Sequence, residues 1–133
     1  MLDLDVTSPL RTVDDLEAAF DLIKNDENAI NLFSVSDANR NPYFNMVEEK
    51  NGYYQKVKDL GQINSRQTAP KVYDMNASFY FFKRRFFEHN YTSVFTEKSL
   101  IYKVPHLCFD LDEPIDFEFM DYLFSQNKLD FKI

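Results

Sequence analysis

The sequence predicts an α/β domain with a largely parallel sheet, on three observations. Strand-like and helix-like segments alternate along its 133 residues, the pattern of a sheet covered by helices. Phe79-Tyr80-Phe81-Phe82 is apolar on both faces, as in a strand lying inside such a sheet. Hydrophobic residues make up 44%, with 14 Phe and 8 Tyr, enough for one domain of this length to bury a core.

Taken in order, Leu2-Asp3-Leu4-Asp5-Val6 alternates apolar and polar residues, which predicts a short, half-buried strand. Thr7 to Arg11 is a turn. Thr12 then caps a helix, with Asp15 three residues on in a capping-box arrangement. Val13, Leu16, Phe20 and Ile23 share one face of that helix, which ends near Asn25. Ala29 to Val35 reads as a strand.

From Ser36 to Lys71 periodicity fades and both glycines, Gly52 and Gly61, appear. Tyr43, Phe44, Met46, Tyr53 and Tyr54 are scattered through this stretch. Connections this long are usually functional when they are ordered, so residues 36–71 are expected to form an ordered excursion packed against something, such as a partner chain. Val72 to Phe82 resumes strand character and a short helix follows over Arg84 to Asn90. Leu100 to Val104 is a further strand. Pro114 opens a last helix whose apolar face is Ile115, Phe119, Leu123 and Phe124.

A net charge of −7 argues against a nucleic-acid partner. The one basic cluster, Lys83-Arg84-Arg85, reads as the exposed end of an element. A single cysteine, Cys108, fits a reducing compartment. No apolar run approaches the ~20 residues of a membrane span, and a cytoplasmic location is expected. Two glycines in all cannot build a glycine-rich phosphate cradle.

The chemistry concentrates at Pro105 to Phe117, where an apolar run ends in Asp110-Leu111-Asp112 ahead of Pro114. On an extended chain these carboxylates face the same way, roughly 7 Å apart. Paired anionic oxygens suit a hard cation such as Mg²⁺ or Mn²⁺. His89 and His106 have no Cys or His at metal-ligand spacing and read as ordinary surface or turn histidines. Ser8 lies in no Gly-x-Ser-x-Gly elbow. A haloacid-dehalogenase-type reading of Asp110-Leu111-Asp112 fails, because Pro114 replaces the hydroxyl or β-branched residue and only 21 residues follow Asp112.

Thr7-Ser8-Pro9-Leu10-Arg11-Thr12 after a strand, Arg66-Gln67 before Pro70, Tyr73-Asp74-Met75-Asn76-Ala77-Ser78-Phe79-Tyr80, and Asp110-Leu111-Asp112 with Glu113 and Asp116 occur in that order. Together they resemble the acylneuraminate cytidylyltransferases, the CMP-sialic acid synthetases and their relatives. The resemblance spans the chain but matches only the C-terminal part of that family. It implies a three-layer, Rossmann-like nucleotidyltransferase fold with a mixed, largely parallel sheet, truncated at its N-terminal side, with 36–71 as a dimer contact. It also implies transfer of CMP from CTP to a nine-carbon acidic sugar.

By that resemblance Asp110 and Asp112 are the catalytic, metal-binding aspartates. Arg66 is associated with the acidic sugar, and Asn76 and Tyr80 line its pocket. Asp5 stands in the substrate-binding strand where many sialic-acid members carry Gln. Asn41-Pro42 followed by Tyr43-Phe44 replaces a His-Pro pair and its basic residue. Sialic and legionaminic acids both stay open as the sugar. Activity of residues 1–133 alone is not expected, since the CTP-binding loop is absent from them. The alternative is a non-catalytic truncated paralogue or oligomerisation piece.

Overall fold

Thr12 sets the first helix. Its hydroxyl accepts a hydrogen bond from the Asp15 backbone N–H at 3.1 Å, and the Asp15 carboxylate accepts from the Thr12 N–H at 2.7 Å. This closed capping box starts α1, Val13–Asn25, in the computed structural model. The structure describes residues 1–59, 61 and 69–132. It comprises two compact units, residues 1–36 with 75–133, and residues 37–74.

The first unit carries a four-stranded sheet. Its strands are β1 (Leu2–Leu4), β2 (Asn31–Asp37), β5 (Tyr73–Phe82) and β6 (Ser99–Lys103), in the order β1-β5-β2-β6. The two strands β3 (Val47–Lys50) and β4 (Tyr53–Lys56) intervene in the chain and belong to the second unit. β1 runs antiparallel to β5, with Leu2 opposite Phe81 and Leu4 opposite Phe79. β2 runs parallel to β6, with Phe33 opposite Ile101. The sheet is therefore mixed, as the resemblance implies, with an antiparallel pair beside a parallel one. The antiparallel partner is β1, an edge strand whose Leu2 and Leu4 are exposed rather than half-buried.

β5 takes the interior place that its two-faced apolar run predicts. Phe79 is fully buried and Phe81 nearly so. They pack with Ala19, Ile23, Ala29, Leu32, Val104 and Cys108, and Leu16, Leu100 and Tyr102 close the cluster. Truncating a ring such as Phe79 costs about 3–5 kcal/mol.

β2 starts two residues later than expected. The Asp26 carboxylate accepts from the N–H groups of Asn28 and Ala29, both at 2.9 Å, so the turn after α1 holds the chain through Ala29. Two of the three basic residues expected at the surface also turn inward here. Lys83 Nζ donates to the Asp26 carbonyl at 2.5 Å and Arg85 to the Ala29 carbonyl at 2.6 Å. Cations suit the carbonyl end of α1. Arg84 alone stays outside, paired with Glu88 at 2.8 Å on α2 (Arg84–Glu88).

α3 spans Pro114–Ser125 with proline in its first turn. Its buried residues are Met120 and Leu123. Ile115, Phe119 and Phe124 of the expected face are exposed, although Phe119 keeps a ring contact with Phe109. α1 behaves likewise: Ala19 and Ile23 are buried, while Val13 and Phe20 are exposed.

The second unit contains a hairpin of β3, Val47–Lys50, and β4, Tyr53–Lys56, paired antiparallel with Lys50 opposite Tyr53. Asn51 and Gly52 make its turn with φ of 56° and 83°, the double positive φ of a type I′ turn. Tyr53 and Tyr54 are well exposed, whereas the sequence pattern had them packed.

Candidate functional site

Three segments meet near the middle of β5. The first is the loop Asp5–Arg11. The Asp5 carboxylate accepts from the Thr7 N–H at 2.9 Å and the Thr7 hydroxyl at 2.8 Å. Those two bonds, helped by the Arg11 charge, hold the Asp5 carboxyl below its ordinary range. Arg11 fastens the loop: one guanidinium nitrogen donates to the carbonyls of Asp5, Ser8 and Ser78 at 2.8–2.9 Å.

The second segment is a kink in β5. Ala77 has φ of 55°, a left-handed conformation that is strained for a residue with a Cβ. Side chains supply the hydrogen bonding that the kink disturbs. The Asn76 side-chain oxygen accepts from the Ser34 hydroxyl at 2.6 Å and the Ser78 N–H at 3.2 Å. The Asn76 amide NH₂ donates to the Ser36 hydroxyl at 3.0 Å, and Phe79 N–H donates to Ser34 Oγ at 3.1 Å. The Ser78 hydroxyl reaches the Ser8 carbonyl at 2.9 Å, linking kink and loop.

The third segment, Cys108–Asp112, is not a strand as expected but irregular chain laid along the loop. Leu111 N–H donates to the Thr7 carbonyl at 2.8 Å, and Ser8 Oγ approaches the Phe109 carbonyl at 3.4 Å. Its backbone partner is thus a loop carbonyl rather than a neighbouring strand. Burial pushes the Cys108 thiol up, so it is no ready nucleophile.

Of the residues singled out in the sequence, Asp5 and Asp110 both bear on Tyr80. Burial, then the negative charges of Asp5, Asp3 and Asp110, push the Tyr80 phenol up. Asp110 is half-buried and Asp112 exposed. Asp112 is fixed through its backbone, whose N–H donates to the Asp116 carboxylate at 3.1 Å, as does that of Glu113 at 2.8 Å. Asn76 is buried beside the same loop, its amide engaged as above. Arg66 lies outside the described residues. Among the described residues no group of three or more His, Cys, Asp or Glu side chains could by itself enclose a metal ion. No helix among them is long and apolar enough to cross a membrane.

His106 is not the ordinary surface or turn residue its sequence context suggested. Its Nε2 lies 2.8 Å from the Asp15 carboxylate, with both side chains buried. Its ring stacks on Phe131 at 3.7 Å. The Tyr102 hydroxyl donates to the other Asp15 oxygen at 3.1 Å. The capping box marked Asp15, but nothing local pointed to a partner 91 residues away.

No family model matches the chain. It is 38% identical over 133 residues to post-translational flagellin modification protein B of Campylobacter coli, which covers 99% of this chain and 55% of that protein. It is 41% identical over 99 residues to CMP-N,N'-diacetyllegionaminic acid synthase of Campylobacter jejuni, covering 74% of this chain and 41% of that one. The chain thus spans about half the length of the curated relatives it matches. Over that shared length it is a CMP-sialic acid synthetase-like chain.

Proposed function

We propose that the chain supplies the sugar side and the metal side of a cytidylyltransferase that transfers CMP from CTP to a nine-carbon acidic sugar of the sialic or legionaminic type. The observation that carries this reading is the 41% identity to the Campylobacter jejuni synthase over 99 residues. The grouping of Asp5, Tyr80 and Asp110 around the Arg11-fastened loop supports it.

In this reaction the anomeric hydroxyl attacks the α-phosphorus of CTP in line and pyrophosphate leaves. Such transfer depends on positioning and charge compensation more than on covalent help. Asp110 and Asp112 are the donors offered to Mg²⁺ or Mn²⁺. Among the described residues no hydrogen bond engages either carboxylate. Two free carboxylates fit an ion that keeps several waters and takes its remaining ligands from substrate phosphates. The ion when bound would neutralise charge at the α-phosphate. Arg11 keeps the Asp5 loop in register with the β5 kink, and Tyr80 closes the sugar side. We further propose a homodimer contacting through residues 36–71, with the exposed Val47, Tyr53 and Tyr54 at the interface.

Residues 1–133 alone hold two glycines, Gly52 and Gly61, too few for the glycine-rich turn that cradles a triphosphate. Incubated with CTP and either sugar, this polypeptide is expected to release no pyrophosphate. A chimera joining it to the part of the Campylobacter jejuni synthase outside the matched region should form the CMP-sugar. Asp112→Ala in that chimera should lower kcat by at least about 10²-fold. Sugar-dependent pyrophosphate release by residues 1–133, or an active Asp112→Ala chimera, would overturn the assignment.

A further inference from the structure

The backbone that carries Asp112 is pinned on both sides. Leu111 N–H donates to the Thr7 carbonyl at 2.8 Å, in the loop that Arg11 fastens. Asp112 N–H donates to Asp116 Oδ2 at 3.1 Å, and Glu113 N–H donates to the same oxygen at 2.8 Å. Three consecutive amides are thereby held, on a segment that belongs to no strand or helix.

The local sequence explains why Asp116 can do this. α3 begins at Pro114 with Glu113 as its N-cap, so Asp116 takes the third helical position, from which a side chain reaches back to the N-cap amide. Pro114 has no N–H to compete for that oxygen. The Asp116 backbone N–H is itself satisfied by the Glu113 carbonyl at 2.9 Å. A helix cap needs only the Glu113 bond. The bond to Asp112 goes one residue beyond it.

Asp116 is not placed as a third metal donor. Its Oδ2 faces the two amides, and among the described residues no three His, Cys, Asp or Glu side chains are grouped so as to hold a metal ion. An ion that keeps several waters and has two protein carboxylates depends on how those two are aimed. Partners that orient a ligand without touching the metal are worth about 10–100-fold in affinity.

We propose that Asp116 is a positioning residue: through the Asp112 and Glu113 amides its carboxylate aims the Asp112 carboxylate at the divalent cation of CMP transfer. The metal rests on the cytidylyltransferase reading; the hydrogen bonds that set the backbone do not.

The test is Mn²⁺ titration of the 133-residue chain, followed by paramagnetic broadening of amide NMR signals, in the wild type, Asp112→Ala, Asp116→Ala and Asp116→Asn. Both Asp116 variants lose the same charge, but only Asn keeps an oxygen that can accept the two N–H groups. Broadening should centre on residues 110–112. Asp116→Ala should weaken Mn²⁺ binding about tenfold or more, and Asp116→Asn should stay within about fivefold of the wild type. In Asp116→Ala the Asp112 and Glu113 amide protons should also lose protection from solvent exchange, which is read without metal. Asp116→Ala removes a helix cap, so circular dichroism checks its folding, and the Asn variant decides the matter independently. Wild-type affinity in Asp116→Ala would overturn the proposal. So would binding by Asp116→Asn as weak as by Asp112→Ala, which would make Asp116 a donor. No broadening at residues 110–112 in the wild type, or unchanged binding in Asp112→Ala, would overturn the metal reading along with it.

Discussion

Asp15 works at two levels: it closes the capping box of α1 and receives both His106 and Tyr102. Burial acts to raise its pKa, but the hydrogen bonds from His106 and Thr12 outweigh this and leave it lowered from 3.8. A depressed carboxyl stabilises the fold above its unfolded pKa, and that contribution is lost as pH falls through the folded value. Asp15→Asn should therefore cost about 1–3 kcal/mol at neutral pH, with the difference from wild type shrinking below about pH 4. Urea unfolding at a series of pH values measures it, and a pH-independent difference would contradict it.

Tyr102 carries the opposite sign. Burial first, then its bond to Asp15, raise its phenol from 10.0 to about 12. Its stabilisation is complete below the unfolded pKa and disappears as pH rises through the folded one. Between those values the wild type should lose stability while Tyr102→Phe does not, as followed by phenolate absorbance alongside circular dichroism. The Thr12–Asp15 box was legible because its partners are three residues apart. The His106 and Tyr102 contacts were not, because sequence spacing says nothing about which distant side chain will fill a buried carboxylate's second oxygen.

At the scale of elements, periodicity told which residues share a face but not which arc of that face is covered. On α3 the apolar set runs around much of the helix, so Met120 and Leu123 are buried while Ile115, Phe119 and Phe124 are exposed. The interior place of β5 was legible because an apolar run on both faces has only one comfortable position in a sheet. Its kink was not, because Ala77 is a residue with no turn signature. Left-handed backbone costs a residue with a Cβ about 1–2 kcal/mol. Ala77→Gly should hold or raise stability by up to about 1 kcal/mol, and Ala77→Val should lower it by about 2 kcal/mol. Denaturant midpoints decide this, and a stable Val variant would show that the kink is not strained.

For the molecule as a whole, the candidate site was legible as a set of strings and only partly as a place. Arg11 and Ser8 tie the loop that carries Asp5 to β5 and to the segment after β6, and the charges of Asp5 and Asp110 both reach Tyr80. The irregular path of residues 108–112 could not be read from an apolar run that looks like a strand. The proposed homodimer belongs to this scale. Sedimentation at tens of micromolar should give twice the chain mass, and Tyr53→Glu with Tyr54→Glu should return it to monomer. A monomeric wild type would remove the interface assigned to residues 36–71.

The turn joining β3 to β4 has a chemical consequence beyond its geometry. Asn51 stands directly before Gly52 at the tip of an exposed hairpin, and with no Cβ beside it the Gly52 nitrogen, whose N–H donates to the Glu49 carboxylate, is sterically open to attack on the Asn51 side-chain amide. The cyclic imide forms with loss of ammonia, and water opens it to aspartate or isoaspartate. Isoaspartate routes the backbone through the side-chain carbon, adding one atom to a turn that has room for none. The pairing of Lys50 with Tyr53 then has no matching geometry, so spontaneous deamidation during storage would reshape this hairpin before it touched the four-stranded sheet.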